Sequence, residues 1–268
     1  MPCSRQQDED LTGELLALAV AMAQAAGKVL LAHYGRPTGV GTKSSATDPV
    51  SDADRASEAL LTESIVRARP ADAVVGEEGA DRRGSSGLRW VIDPLDGTVN
   101  YLYGHPGWCV SVACEDPEGG LVGVVHDPLL QETFTAARGR GAFLRSGAGP
   151  AVALACNEPV PLRQALIATG FAYDRGQRAR QAALLADLLG RVRDVRRVGS
   201  AALDACAVAA GRVDAYYEDS TAAWDVAAGA VIASEAGAVT TPLPGWAGRS
   251  GLLAAGPTLH AELRALLA

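Results

Sequence analysis

The chain predicts a fold of mixed α and β elements, and three observations predict it. A helical period runs from Leu11 to His33, short apolar segments separated by turn residues run from Leu88 to Leu144, and helices alternate with strands after Pro150. Interleaving of this kind requires helices that cover sheet faces. In the first helix Leu15, Leu18, Met22, Ala26 and Val29 recur at helical spacing, the mark of a core-facing stripe. Glu14, Gln24 and Lys28 interrupt it, which makes it a poor membrane span. A second helix is expected over 53–69, followed by strands near 73–75 and 88–92. The segments 108–114, 121–126, 132–136 and 141–144 are divided by Gly and Asp-Pro turns and read as antiparallel hairpins. Gly147-Ala148-Gly149-Pro150 is the best internal boundary, dividing residues 1–268 into packed halves of about 11–147 and 151–268. Beyond it, strands near 151–155, 166–169, 194–198, 238–241 and 252–255 alternate with helices near 178–189, 201–210, 222–236 and from 259 onward.

Composition narrows the classes of function. Of 268 residues, 48% are apolar, ample for a core, and 21% are charged, ordinary for a globular protein. A net charge of −7 disfavours nonspecific binding to nucleic acid. Cys3, Cys109, Cys114, Cys156 and Cys206 are scattered and odd in number, without a C-x-x-C or Cys/His zinc spacing, so reduced thiols are expected. The first ten residues are polar and lack the apolar region of a signal peptide, so the cytoplasm is the expected compartment.

Chemistry concentrates in Trp90-Val91-Ile92-Asp93-Pro94-Leu95-Asp96-Gly97-Thr98. Val91 and Ile92 suit a packed sheet, and Pro94 lacks a donor for the ladder, so the strand is expected to stop there. Asp93 and Asp96 then lie close together, and such carboxylates repel unless a hard cation lies between them. Gly97 and Thr98 follow with backbone N–H groups and a hydroxyl, a plausible cradle for phosphate. A turn held by Asx hydrogen bonds is the plain alternative. Three further acidic clusters in similar settings outweigh it: Val74-Val75-Gly76-Glu77-Glu78, the polar stretch from Lys43 to Asp54, and Trp224-Asp225-Val226-Ala227-Ala228-Gly229. In the last, Asp225 opens an Ala-rich helix, as an N-cap or an inward-pointing ligand.

These motifs, in this order, resemble the inositol monophosphatase family of magnesium-dependent, lithium-sensitive phosphatases. The resemblance runs from about residue 11 to the C-terminus and is carried by Trp90 to Tyr101, Trp224 to Gly229, Gly76-Glu77-Glu78 and the Lys43 to Asp54 loop. It implies an α+β fold, the layered α-β-α-β-α sandwich of the inositol monophosphatase and fructose-1,6-bisphosphatase type. It implies a first Mg²⁺ on Glu77, Asp93 and the Leu95 carbonyl, a second on Asp93, Asp96 and Asp225, and a third, weaker ion on Glu77 and waters. The oxygen-only donor set suits Mg²⁺ and argues against zinc. Asp54 and Thr98 would orient the attacking water beside the first metal, with Glu77 among the catalytic residues, and the Gly97 and Thr98 amides would hold phosphate oxygens. Hydrolysis would proceed by direct in-line attack of water, with no phosphoenzyme. Ser200 does not sit in a G-x-S-x-G nucleophile elbow, and His105 has no partner at metal spacing. Substrate contacts would come from Asp96, from the backbone near Ala201 and from Glu218, which precedes Asp225 by a spacing like that of inositol-specific members. A carboxylate that accepts hydrogen bonds from vicinal hydroxyls is a sensible reader of a polyol.

Inositol 1-phosphate is the leading substrate. Histidinol phosphate, fructose 1,6-bisphosphate, NADP and 3′-phosphoadenosine 5′-phosphate are the alternatives; 5% aromatic content gives adenosine nucleotides little support. A regulator that binds RNA or transcription proteins is the reading from another class, weakened by the full set of acidic ligands and by the acidic charge. No membrane partner is expected, and a homodimer rests on kinship alone.

Overall fold

The computed structural model describes residues 3–43, 49–245 and 250–267, with side chains from Asp10 onward. Residues 44–48 of the polar loop before Asp54 lie outside the described residues. In chain order the first part comprises α1 (Cys3–His33), β1 (Gly41–Thr42), β2 (Pro49–Val50), α2 (Asp52–Ala68), β3 (Ala73–Gly76), β4 (Asp81–Arg82), β5 (Arg89–Asp96), α3 (Thr98–Leu102), β6 (Cys109–Asp116), β7 (Gly119–Asp127), β8 (Glu132–Ala137), β9 (Ala142–Ser146) and β10 (Ala151–Ala153). A 3₁₀ turn at Leu162–Gln164 leads into β11 (Leu166–Thr169), α4 (Arg175–Leu189), β12 (Asp194–Arg196), α5 (Ala201–Ala209), β13 (Ala215–Thr221), α6 (Ala223–Glu235), β14 (Val239–Pro244), β15 (Ser250–Ala255) and α7 (Pro257–Leu267).

Eight strands form the first sheet in the order β10-β9-β8-β7-β6-β5-β3-β4, and five form the second in the order β12-β11-β13-β15-β14. The hairpins expected between 108 and 144 are the antiparallel ladders β6–β7, β7–β8 and β8–β9. Alternation along the strands sorts side chains between layers. Trp90 and Ile92 of β5 pack with Leu15, Met22 and Leu30 of α1 and Leu61 and Ile65 of α2, whereas Val91 between them packs with Ala202, Ala228 and Ile232 of α5 and α6. In the second sheet, Ala168, Tyr216 and Leu252 face α5 and α6, while Ile167, Tyr217 and Leu253 face Leu188 of α4 and Leu259 and Leu263 of α7. The order of layers is therefore α-β-α-β-α.

Among the described residues one helical segment, Asp10–His33, is long and apolar enough to cross a membrane. Here its apolar stripe is the core face of α1, with Leu15, Ala19, Met22, Ala26 and Leu30 at most 3% exposed.

Two expectations change. The β5 strand does not stop at Pro94 but continues to Asp96, and its pairing with β6 jumps from Asp93↔Ser111 to Asp96↔Cys109. Two residues thus oppose one, and the missing N–H of Pro94 falls in the unpaired bulge, where the ladder does not need it. Gly147-Ala148-Gly149-Pro150 forms the turn of the β9–β10 hairpin, so β10 joins the first sheet and the chain passes to the second only after Ala153.

The middle layer carries the architecture. Its helices are alanine-rich, and small side chains let α5 and α6 approach each other and both sheets closely. Gly229 shows the limit: a Cβ there would lie 2.6 Å from the Ala205 Cβ and 3.4 Å from the Ala202 carbonyl oxygen. The glycine of the Trp-Asp-Val-Ala-Ala-Gly motif is thus a packing requirement. Gly229→Val is expected to destabilise the protein by about 2 kcal/mol or more through overpacking, read as a lowered midpoint in chemical denaturation.

Candidate active site

The bulge in β5 directs the acidic side chains into one cleft. Asp93 is 1% exposed, and its Oδ1 accepts from the Leu95 N–H at 3.0 Å. Gly97 follows in the left-handed region (φ 94°, ψ 34°), and a Cβ there would lie 2.6 Å from the Gly107 carbonyl oxygen. This turn starts α3 at Thr98, so the Gly97 and Thr98 amides stand at the positive end of a short helix. Beneath it Tyr101 donates to the Leu30 carbonyl at 2.7 Å and packs edge-on to Trp108, ring centroids 5.0 Å apart.

Each acidic group is held through one oxygen. Asp96 Oδ2 accepts from Ser200 Oγ at 2.7 Å and from the Ala202 N–H at 2.8 Å. Asp225 is not the N-cap of α6 but its third residue, and its Oδ2 reaches back to the Ala222 N–H at 2.6 Å. Asp54 does the same on α2, accepting from the N–H and Oγ of Ser51 through Oδ2, while its Oδ1 receives the Thr98 hydroxyl at 3.2 Å. Thr98 Oγ1 is also 3.1 Å from the Leu95 carbonyl oxygen. A buried helper from α2, Glu58, accepts from the Glu78 and Ala80 N–H groups and so pins the turn that presents Glu77.

Desolvation and mutual repulsion dominate the electrostatics. Burial, then Glu77, Asp96 and Asp225, push Asp93 well above the ordinary carboxylate range. Burial lifts Asp96 to about 6 despite the hydrogen bonds from Ser200 and Ala202, and it raises Asp225 strongly with Asp96 as the next cause. The nearest cation is Lys43, whose Nζ is 2.9 Å from Glu77 Oε1 and 2.5 Å from Glu78 Oε1. Burial works against the Lys43 charge, but the two glutamates outweigh it and hold its ammonium above the usual range. Among the described residues no three His, Cys, Asp or Glu side chains are drawn together tightly enough to form a ready-made metal cage. The donor chemistry nonetheless fits a hard divalent ion. Asp93, Asp96 and Asp225 offer only oxygens, each has one oxygen anchored and the other unengaged by described residues, and their repulsion is relieved by positive charge.

The cleft has a volume of about 850 Å³, and Glu77, Asp93, Leu95, Asp96, Gly97, Thr98, Ala201, Glu218 and Asp225 all line it. Asp54 stands one hydrogen bond behind Thr98. Glu218 is clasped on β13: Tyr216 donates its hydroxyl to Oε2 at 3.1 Å, and the carboxylate fills the space where Gly170 lacks a side chain. Burial raises Glu218 to about 7. The stretch from Gly170 to Arg175, unassigned by spacing, lines the same cleft with Arg178 and Arg197. It is latched to β13 through Gln181, whose Oε1 accepts from the Ala172 N–H and whose Nε2 donates to Asp219. Sequence reasoning did not single out Glu58, Gln181, Arg197 or Asp204. Asp204 left a signal, because it is the sole charged residue in the Ala201–Ala209 helix.

A layered fold whose strand ends collect carboxylates beside a helix start fits the class of metal-assisted phosphatases. Comparison with known proteins narrows it. The pattern of the inositol monophosphatase family matches residues 12–267. Inositol-1-monophosphatase SuhB of Mycobacterium tuberculosis H37Rv is 46% identical over 236 residues, covering 85% of this chain and 81% of that protein. The Nus factor SuhB of Haemophilus influenzae is 39% identical over 226 residues, 83% of each chain. The crystal structure of extragenic suppressor protein suhB from Bartonella henselae superposes with a TM-score of 0.85 at 33% identity, covering 95% of this chain and 98% of that one. The chain therefore belongs to the inositol monophosphatase family and is an enzyme of the phosphatase class.

A carboxyl whose folded pKa exceeds its unfolded value binds its proton more tightly in the fold, so the stability it contributes is present at low pH and lost as pH rises through the folded value. In chelator, the melting temperature is expected to fall between about pH 4 and about pH 7, from the unfolded carboxyl range up to the folded values of Asp96 (about 6) and Glu218 (about 7). Calorimetry across that range would record the slope.

Proposed function

We propose that this protein hydrolyses phosphate monoesters of polyols, with inositol 1-phosphate the leading substrate, in a Mg²⁺-dependent reaction. One observation carries the reading: four carboxylates from three places in the chain, Glu77 after β3, Asp93 and Asp96 on β5 and Asp225 on α6, line one cleft beside the Gly97-Thr98 turn. Glu77, Asp93 and the Leu95 carbonyl, which line the cleft, would hold one ion and Asp93, Asp96 and Asp225 another, and kinship adds a weaker third at Glu77. When bound, such ions supply positive charge to phosphate oxygens, acidify water and stabilise the leaving alkoxide.

The chain's own groups do the rest. The Gly97 and Thr98 amides bind phosphate oxygens and turn the phosphorus toward Thr98. A water at the Thr98 hydroxyl is oriented for in-line attack, and its proton passes through Thr98 Oγ1 to Asp54 Oδ1, 3.2 Å away. Asp54 is suited to receive it, since Ser51 holds only its other oxygen. The leaving alcohol lies toward Ala201 and Glu218, where the carboxylate accepts from sugar-alcohol hydroxyls. Lithium sensitivity and a homodimer belong to the same reading through kinship. A cytoplasmic location is supported by the free thiols of Cys109, Cys114, Cys156 and Cys206. A role as a Nus factor, as the Haemophilus relative is named, is the second reading, and it requires none of these carboxylates.

Purified protein is expected to release phosphate from inositol 1-phosphate with Mg²⁺, to lose this activity in EDTA and to regain it on Mg²⁺ addition. Preference for histidinol phosphate, fructose 1,6-bisphosphate or an adenosine nucleotide by kcat/KM would reassign the substrate. Asp93→Asn is expected to lower kcat by about a thousandfold or more and to raise the melting temperature in chelator, since it removes a buried repelling charge. Near wild-type turnover in this variant would refute the ligand assignment. Thr98→Ala is expected to reduce kcat by roughly a hundredfold with little change in KM, measured by steady-state kinetics.

A further inference from the structure

Glu218 is not alone on its wall of the cleft. Asp204 lies on α5 one helical turn beyond Ala201, hence on the same face, and it lines the same cleft. It is 2% exposed, and its Oδ1 has no hydrogen-bond partner among the described residues. Such a group is costly: an acceptor removed from water and left unpaired destabilises a fold by about 1–3 kcal/mol, more when charged. Glu218, Asp96 and Arg197, which line the same cleft, are the charged groups that act on it. Asp96 and Asp225 have the phosphatase chemistry to justify their burial. Among the described residues no hydrogen bond joins the Asp204 Oδ1 to the groups assigned to that chemistry, and Arg197 is the cation in its field.

Resting on the polyol reading above, we propose that Asp204 is a specificity-determining residue: its unpartnered Oδ1 accepts a hydrogen bond from a hydroxyl of the leaving group, next to the one that Glu218 accepts. Tyr216 occupies Glu218 Oε2, so Glu218 Oε1 and Asp204 Oδ1 form a pair of acceptors on one wall. A pair of acceptors suits a leaving group with neighbouring hydroxyls and rejects an ester whose leaving group has none, because both acceptors then stay desolvated and unpaired. Glu218 and Asp204 thus act together as a reader of adjacent hydroxyls, and the Asp96 side of the cleft treats all phosphates alike.

The test compares kcat/KM for inositol 1-phosphate and for p-nitrophenyl phosphate, which lacks leaving-group hydroxyls, in wild type, Asp204→Ala and Asp204→Asn with Mg²⁺ present. The selectivity ratio for inositol 1-phosphate is expected to fall roughly ten- to a hundredfold in Asp204→Ala, mainly through KM. Asp204→Asn keeps an acceptor oxygen and is expected to recover part of the ratio. Melting temperatures establish that both variants are folded, and loss of a lone buried carboxyl is expected to leave them at or above wild type. An unchanged ratio in both variants, with wild type favouring inositol 1-phosphate, overturns the role of Asp204 alone. A wild type that shows no preference for the polyol ester overturns the substrate reading and this inference with it.

Discussion

Repulsion among desolvated carboxylates is the constraint around which this protein is arranged. Burial pushes Asp93, Asp96 and Asp225 upward in pKa, Asp96 repels both Asp93 and Asp225, and Glu77 adds to the field at all three. A fold tolerates this only if each group is held in place by something stronger than its tendency to turn away. The solution is the same at each position: one carboxylate oxygen is fixed by a backbone N–H or a hydroxyl, from Leu95, from Ser200 and Ala202, or from Ala222. Asp54 follows the same rule through Ser51. The anchoring bonds belong to helix starts and a strand bulge, where backbone donors have no ladder or helical partner of their own. Local backbone geometry thus supplies both the restraint and the direction of each acidic group.

Packing in the middle layer brings the groups together. Asp96 ends a strand of the first sheet, Ser200 and Ala202 open α5, and Asp225 opens α6. Those helices meet without intervening bulk because alanines and Gly229 face one another. The second sheet then lies close enough for Glu218 to share the cleft, with a β-bulge between Glu218 and Thr221 and with Gly251 beneath the Glu218 carbonyl. The cost of burying charge and the close packing of small residues are therefore two sides of one design.

Much of the fold was legible locally. The stripe from Leu15 to Val29, the hairpins of 108–144 and the alternation after 165 each follow from side-chain period and turn chemistry. Where local reasoning failed, a long-range partner decided. Pro94 reads as a strand terminator, yet β6 continues to pair beyond it because the bulge absorbs the lost donor. The 147–150 turn reads as a boundary, yet it closes a hairpin, since glycine and proline mark both alike. The acidic motifs stood out because carboxylates beside Gly and Pro at the end of an apolar run are unusual in a core. Glu58, Gln181 and Arg197 did not, because a polar residue on an amphipathic helix or in a loop looks the same whether it meets solvent or a buried turn.

By itself the sequence determined the elements and the chemistry available: apolar periods that demand burial, a helix start after Gly97, and acidic side chains in contexts that favour hard cations. Only the tertiary structure decided which of them meet. Lys43 pairs with Glu77 and Glu78, Ser200 reaches Asp96 across 104 positions of chain, and Asp204 lines the cleft with an Oδ1 that has no partner among the described residues. The reason is physical: periodicity encodes which face of an element leaves water, but the desolvation and the field felt by a charge depend on neighbours that folding alone brings within reach.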